Sequence, residues 1–444
     1  MPRFLHIADP HIDSPVSTGF QPADLGDLHA ESLTRDAFAA AVDLAIAETV
    51  SAVIVAGDLF DGDWRRGGTR QGRENAGTWQ WTVRQFQKLA DAAIPVAFLR
   101  GNHDAASQLA VDLKWPEGLH EFDVRSPDTF LIEDAGLAIH GQGYERREQT
   151  ANVAAVYPKA VPGLFNVGVL HTGLEAAGPY APATLDDLLG REYGYWALGH
   201  IHKPTALGDA SRHGVPILYA GNPQGRNVNE CGPRGCLLVD YAGGTASVTS
   251  RPLDKLRWFN ETVDADGCDT EKALLNKVTD MLAERRGEAG DRAVVTRVTV
   301  SGPFEDHHKI DGFSAKSVFE QSVRERAAEL DGVWVESVRV QTRPPVDLSR
   351  LVRPGDPMAE VLAQLDAAIA ATSGEFDDPA SVGDTLFATS PADSEPLSDV
   401  MAAIDHHAAP AAARQLGLEV TPADRRRWLE AARSHLIAEL ASEV

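Results

Sequence analysis

The sequence predicts an α/β protein: two layered sheets that carry a functional site, then a small separate α/β domain, then a helical tail. Three observations carry this expectation. Short apolar, β-branched runs alternate with segments of helical periodicity through the first hundred residues. The residues with chemistry in them fall directly after those runs, where α/β sheets place their sites. Beyond Leu253-Asp254-Lys255 the spacing of the elements changes, and after Pro344-Pro345 the composition shifts to Ala, Asp, Pro and Ser.

Taken in order, Phe4-Leu5-His6-Ile7-Ala8 reads as a buried strand that delivers Asp9 and His11 to the following loop. Phe38, Val42, Ala45 and Ile46 are spaced as one face of a helix lying within residues 30–49. Ala52-Val53-Ile54-Val55-Ala56 has the continuous apolar character of a strand buried on both faces, and Gly57-Asp58 follows at once. A polar, glycine-rich loop is expected over 61–77, then a helix over 82–93. Pro95 to Leu99 forms the next strand and presents Gly101-Asn102-His103-Asp104. From Phe130 onward the strand signals come closer together, at 137–140, 166–170, 195–198, 216–220, 236–239 and 246–249, and are expected to build a second sheet packed on the first. His171 and Gly199-His200-Ile201-His202 close two of these strands.

Residues 258–340 alternate as strand, helix, strand, helix and strand, the pattern of a small α/β domain. The expected division is 1–252, 256–342 and 343–444. In the last segment, 373–396 has linker composition. Helices are expected at 357–371 and from Thr421-Pro422-Ala423-Asp424, which has a capping-box-like start with Pro at the first helical position. The stripe Trp428, Leu429, Ala432, Leu436, Ile437 and Leu440 suits packing on its own domain or docking to another protein.

Length, charge and cysteines narrow the class. A chain of 444 residues has room for two or three domains. The formal net charge of −24 argues against a protein that coats nucleic acid through its whole surface, although bound cations or a local basic patch would change the field at one site. Cys231, Cys236 and Cys268 fit neither a disulfide framework nor a paired zinc motif, as expected of free thiols in a reducing compartment. The first residues read as a strand rather than a signal peptide, and no apolar run is long enough for a bilayer, so a cytoplasmic protein without membrane attachment is expected.

Asp9, His11, Asp58, Asn102, His171, His200 and His202 offer seven carboxylate, amide and imidazole ligands, the set that hard or borderline divalent ions prefer. Seven are enough for two ions side by side if one carboxylate bridges. Such pairs sit about 3.5–4 Å apart, polarise a phosphoryl group and activate a water.

Asp9-Pro10-His11, Gly57-Asp58, Gly101-Asn102-His103-Asp104, His171 and Gly199-His200-Ile201-His202 together resemble the motifs of calcineurin-type metallophosphoesterases over roughly residues 1–250. The segment Leu198 to Pro204, followed by Gly221-Asn222-Pro223-Gln224-Gly225-Arg226 and a small domain after residue 255, narrows the resemblance to SbcD-type DNA repair exonuclease subunits, which work with an SMC-like ABC ATPase. The resemblance implies a four-layer α/β/β/α sandwich with an α/β capping domain and a helical C-terminal tail that binds the ATPase. It implies one metal on Asp9, His11 and His202, a second on Asn102, His171 and His200, and Asp58 as the bridge. The ions would be manganese, with magnesium as a substitute. His103 would protonate the leaving oxygen or steady the phosphate, and Asp104 would orient it by a hydrogen bond. The implied reaction is hydrolysis of DNA phosphodiesters, and the implied assembly a homodimer.

Asp61 departs from part of that family, where a second active-site histidine follows Gly-Asp-Leu-Phe. Arg65, Arg66 and Arg70 form a basic loop beside it, read either as a solvated loop or as a DNA-backbone contact. Arg226, Asn222 and Gln224 suit a phosphate contact or a turn network equally. Two rival functions remain open: a phosphoesterase for small phosphate esters or phosphoproteins, and a non-catalytic scaffold that regulates an ATPase.

Overall fold

The computed structural model describes residues 2–16, 32–61, 71–106, 114–174, 178–208, 214–311 and 313–345, with scattered positions between 361 and 436. Arg65, Arg66, Arg70 and the 373–396 linker lie outside the described residues, as do nearly all of the expected tail helices. Met1–Gly302 with His308–Thr342 form one compact unit; Pro303–His307 with Arg343–Val444 form a second, in which Arg433 pairs with Asp366.

In the first unit, β1 (Arg3–Ile7), β2 (Ala52–Val55), β3 (Val96–Phe98) and β4 (Leu119–Glu121) run parallel, with α1 (Leu33–Ala47) and α2 (Gln71–Asp91) as crossovers. β11 (Gly235–Ala242) and β12 (Thr245–Pro252) extend this sheet antiparallel beyond β1, in the order β12-β11-β1-β2-β3-β4. The sequence reading put 236–239 and 246–249 in the second sheet. They join the first because β1 would otherwise be an open edge, and Leu238 and Val239 complete the two faces of its apolar layer. α2 begins at Gln71 rather than near Thr82. Its first turns carry glycines and polar side chains, so apolar periodicity could not reveal them.

The second sheet has the order β5-β6-β7-β8-β10-β9: β5 (Asp128–Ile132), β6 (Leu137–Gly141), β7 (Phe165–His171), β8 (Tyr195–Gly199), β9 (Thr205–Gly208) and β10 (Ile217–Tyr219). β6, β7, β8 and β10 run parallel. Phe4, Ile54, Ala97 and Val239 of the first sheet pack against Ile139, Val167, Tyr195 and Ala197 of the second. The opposite face of the first sheet packs on Phe38, Val42 and Phe86 of α1 and α2. The outer face of the second is covered by Ala154 and by Leu188 of α4 (Leu185–Leu189). The layers are therefore α/β/β/α, the sandwich that the sequence resemblance implies. His6 is buried between the sheets, its Nδ1 3.0 Å from the Tyr195 hydroxyl, and burial lowers its pKa to about 3.

A three-stranded sheet follows: β13 (Leu256–Asp264), β14 (Ala293–Pro303) and β15 (Val333–Arg343). β13 and β14 are parallel, linked by α5 (Glu271–Ala289). Thr270 caps α5, accepting from Ala273 N at 3.2 Å, and Leu274, Val278 and Leu282 form its buried stripe.

Candidate metal centre

Every expected ligand sits at or past the carboxyl end of a parallel strand. Asp9 and His11 follow β1, Asp58 follows β2, and Asn102 opens the short helix α3 (Asn102–Ala106) after β3. His171 ends β7 and His200 follows β8. The loops are locked to one another. Asp9 N donates to Gly57 O at 3.1 Å, His11 N to Asp58 O at 3.0 Å, and His200 N to both Asp9 oxygens at 3.0 and 3.1 Å. Asp9, His11, Asp58 and His200 all hold positive φ, an unfavourable backbone for such residues that recurs at functional sites. Gly57 is required where it stands: its φ is +92°, and a Cβ would lie 2.5 Å from His171 Nδ1.

Asp9, His11 and His202 converge as one group of donors, and Asp58, His171 and His200 as another. Asn102 belongs with the second: its Oδ1 lies 2.9 Å from His171 Nε2 and 3.2 Å from His200 Nδ1. Asp58 stands between the groups. Its Oδ1 accepts from His103 N at 2.9 Å, while Oδ2 faces His171 Nε2 at 3.4 Å and His11 Nε2 at 3.8 Å. His171 Nδ1 is 3.0 Å from Ala56 O, which places its proton there and turns Nε2 toward the centre.

The charges fit cation binding. Asp9, His11, Asp58 and His171 are wholly or almost wholly buried. Burial opposes ionisation of Asp58, yet His171 and His11 hold its pKa well below the usual carboxylate range. Burial likewise opposes a charged His171, but Asp58 and Asp9 outweigh it and raise its pKa to about 9. Burial and the neighbouring His171 lower His200 to about 4. The Nε2 atoms of His11 and His202 lie 3.1 Å apart, and His11 Nδ1 is buried without a hydrogen-bond partner among the described residues. Imidazole nitrogens aimed at one another between buried carboxylates are what divalent ions would draw together, so the donor set fits two of them.

His103 is half-buried beside His11, the ring centroids 4.9 Å apart. The carboxylate that reaches its ring is Asp61, whose Oδ1 lies 2.8 Å from Nδ1, rather than Asp104 as the sequence suggested. Asp61 is steadied by Ser14 Oγ at 2.9 Å. Burial works against a charged His103, but Asp61, Asp58 and Asp104 raise its pKa overall. Asp104 is turned away because its oxygens accept from the backbone: Leu59 N at 3.1 Å, Phe60 N at 2.9 Å and Gly101 N at 3.0 Å. It therefore braces the Asp58 loop against α3. Burial and Asp58 push its pKa up to about 7, against these three donors. Asp104→Ala strands three buried N–H groups at about 1–3 kcal/mol each, so a loss of about 3 kcal/mol or more is expected in denaturant unfolding.

Sequence reasoning missed Glu230, whose Oε1 lies 2.7 Å from His202 Nδ1, and Tyr180, whose ring lies 4.6 Å from that of His200. Neither stands in a ligand motif, so no pattern pointed to them.

The profile of the calcineurin-like phosphoesterase family matches residues 2–204, and that of the middle domain of metallophosphoesterase YhaO matches 258–343. An uncharacterized metallophosphoesterase YhaO from Bacillus subtilis is 30% identical over 308 residues, covering 67% of this chain and 71% of the relative. The chain belongs to the calcineurin-like metallophosphoesterase family. Two further relatives are DNA double-strand break repair proteins Mre11. The one from Sulfurisphaera tokodaii is 24% identical over 64% of this chain and 71% of its own length. The one from Halobacterium salinarum is 29% identical over 68% and 71%. As a metallophosphoesterase, the protein is a metal-binding hydrolase of phosphoester bonds. No helix among the described residues is long and apolar enough to cross a membrane.

Proposed function

We propose that this metallophosphoesterase is a two-metal DNA nuclease, an exonuclease or endonuclease of the SbcD type that cuts phosphodiesters in DNA repair. The observation that carries the reading is Asp58, whose Oδ2 faces an imidazole of each donor group. The likeness to Mre11 repair proteins favours DNA as the substrate.

Asp9, His11 and His202 would hold one ion, Asn102, His171 and His200 the other, and Asp58 would serve both. When bound, two divalent ions, manganese with magnesium as a substitute, supply phosphoryl polarisation and water activation. His103 meets the leaving oxygen or the scissile phosphate, and Asp61 fixes its tautomer with Nδ1 protonated. Residues 256–342 are assigned to DNA recognition and 343–444 to an SMC-like ABC ATPase, in a cytoplasmic complex whose nuclease subunit forms a homodimer. A chain of net charge −24 gains little from general attraction to phosphates. Bound cations and the ATPase would supply that attraction.

An end-labelled linear duplex, with and without manganese, tests this. Shortening that needs the metal and stops with chelator is expected, and co-purification with a coiled-coil ATPase would support the complex. Rapid phosphomonoester hydrolysis with intact DNA would move the protein to small phosphate esters or phosphoproteins.

A further inference from the structure

Glu230 lies outside every motif, yet it is joined to the metal centre on one side and to the three-stranded sheet on the other. Its Oε1 lies 2.7 Å from His202 Nδ1. Arg226 Nη2 lies 3.1 Å from the same nitrogen, but the shorter, charge-assisted contact decides the tautomer: His202 donates from Nδ1 to Glu230. His202 Nε2 is then left to face His11 Nε2 at 3.1 Å. Glu230 is 7% exposed, and although burial opposes its charge, His202 and Arg226 hold its pKa well below the usual carboxylate range.

Two buried amides extend this bond away from the site. Asn222 Nδ2 donates to Glu230 Oε2 and to Gln224 O, both at 2.8 Å, and Arg226 N donates to Oε2 at 2.6 Å. The Gln224 side chain then acts as a surrogate strand partner for the start of β13. Its Nε2 donates to Leu256 O at 2.7 Å, and its Oε1 accepts from Lys255 N at 2.8 Å and Leu256 N at 3.3 Å. Trp258 Nε1 donates to Gly225 O at 3.0 Å. A Cβ on Gly225 would lie 2.6 Å from Glu230 O and 3.0 Å from the Trp258 ring, so the turn fits only while strand and turn stay in register. The Gly221–Arg226 motif is thus a turn network joining a ligand to β13, with Arg226 engaged by Glu230 at 3.2 Å and Ser14 Oγ at 3.1 Å.

We propose that Glu230 is the positioning residue for His202, and that the three-stranded sheet sets its place through Gln224, so that the appended sheet tunes one of the two metal sites. This rests on the two-metal reading of the centre. A carboxylate behind a ligating imidazole orients the ring and raises its basicity, and its loss typically weakens metal affinity about 10–100-fold. Among the described residues, a carboxylate is hydrogen-bonded behind a ligating imidazole only in the group containing His202; His171 Nδ1 is hydrogen-bonded to the Ala56 carbonyl instead.

The test is calorimetric titration of the full chain with Mn2+ alone, with Mn2+ electron paramagnetic resonance in parallel. The parent protein should take up two ions as a spin-coupled pair. Glu230→Gln, which keeps the shape, should weaken one binding event about 10–100-fold, spare the other, and give an isolated Mn2+ signal at limiting metal. Gln224→Ala, with both Glu230 and His202 intact, should weaken the same event by a smaller factor. Unchanged binding in both variants would overturn the proposal. So would equal weakening of both events together with a lower metal-free melting temperature, since that is what a merely structural role gives. No uptake by the parent chain would overturn the two-metal reading itself, and the proposal with it.

Discussion

Asp58→Ala is expected to lower metal-dependent hydrolysis by about a thousandfold or more, equivalent to about 4 kcal/mol of transition-state stabilisation. The Asp58 Oδ2 faces both His11 and His171, so its removal affects both donor groups at once. Its other oxygen accepts from His103 N at 2.9 Å, so alanine also loosens the start of α3. Asp58→Asn separates the effects. It retains an acceptor for that N–H, and should lose nearly as much activity while keeping the parent's metal-free melting temperature. Activity within tenfold of the parent in both variants would remove Asp58 from the bridging role.

The second large effect is expected at His103. His103→Gln should reduce turnover about a hundredfold, within the range of general acid–base catalysis, with two ions still bound. Asp61→Asn should reduce it about tenfold, because Asp61 acts through the ring that it holds at 2.8 Å. The double variant should be no worse than His103→Gln alone, since side chains acting as a unit are not additive. Additive losses in single-turnover measurements would show that Asp61 works independently, for instance through Ser14 or Arg226.

The candidate donors were legible because each ends or follows an apolar strand by one or a few residues, and parallel strands bring their carboxyl ends to one edge. Asp9, Asp58, Asn102, His171 and His200 could be placed without knowing any long-range contact. The supporting contacts were not legible, because they are decided in three dimensions. Glu230 lies 28 residues beyond His202, in a turn that carries no ligand motif. Asp104 follows His103 in sequence but points back to the amides of Leu59, Phe60 and Gly101, because α3 turns its side chain away from the ring. Local strand signals identified β11 and β12 as strands but carry no information about which sheet has a vacant edge. The first turns of α2 were hidden for a related reason: a helix that carries polar residues and glycine shows no apolar stripe.

The centre itself is tested most directly by growing crystals with manganese and recording anomalous scattering at the manganese edge. Two peaks, one among Asp9, His11 and His202 and one among Asn102, His171 and His200, with Asp58 reaching both, are the predicted result. A single peak, or none with these side chains in the same arrangement, would contradict it.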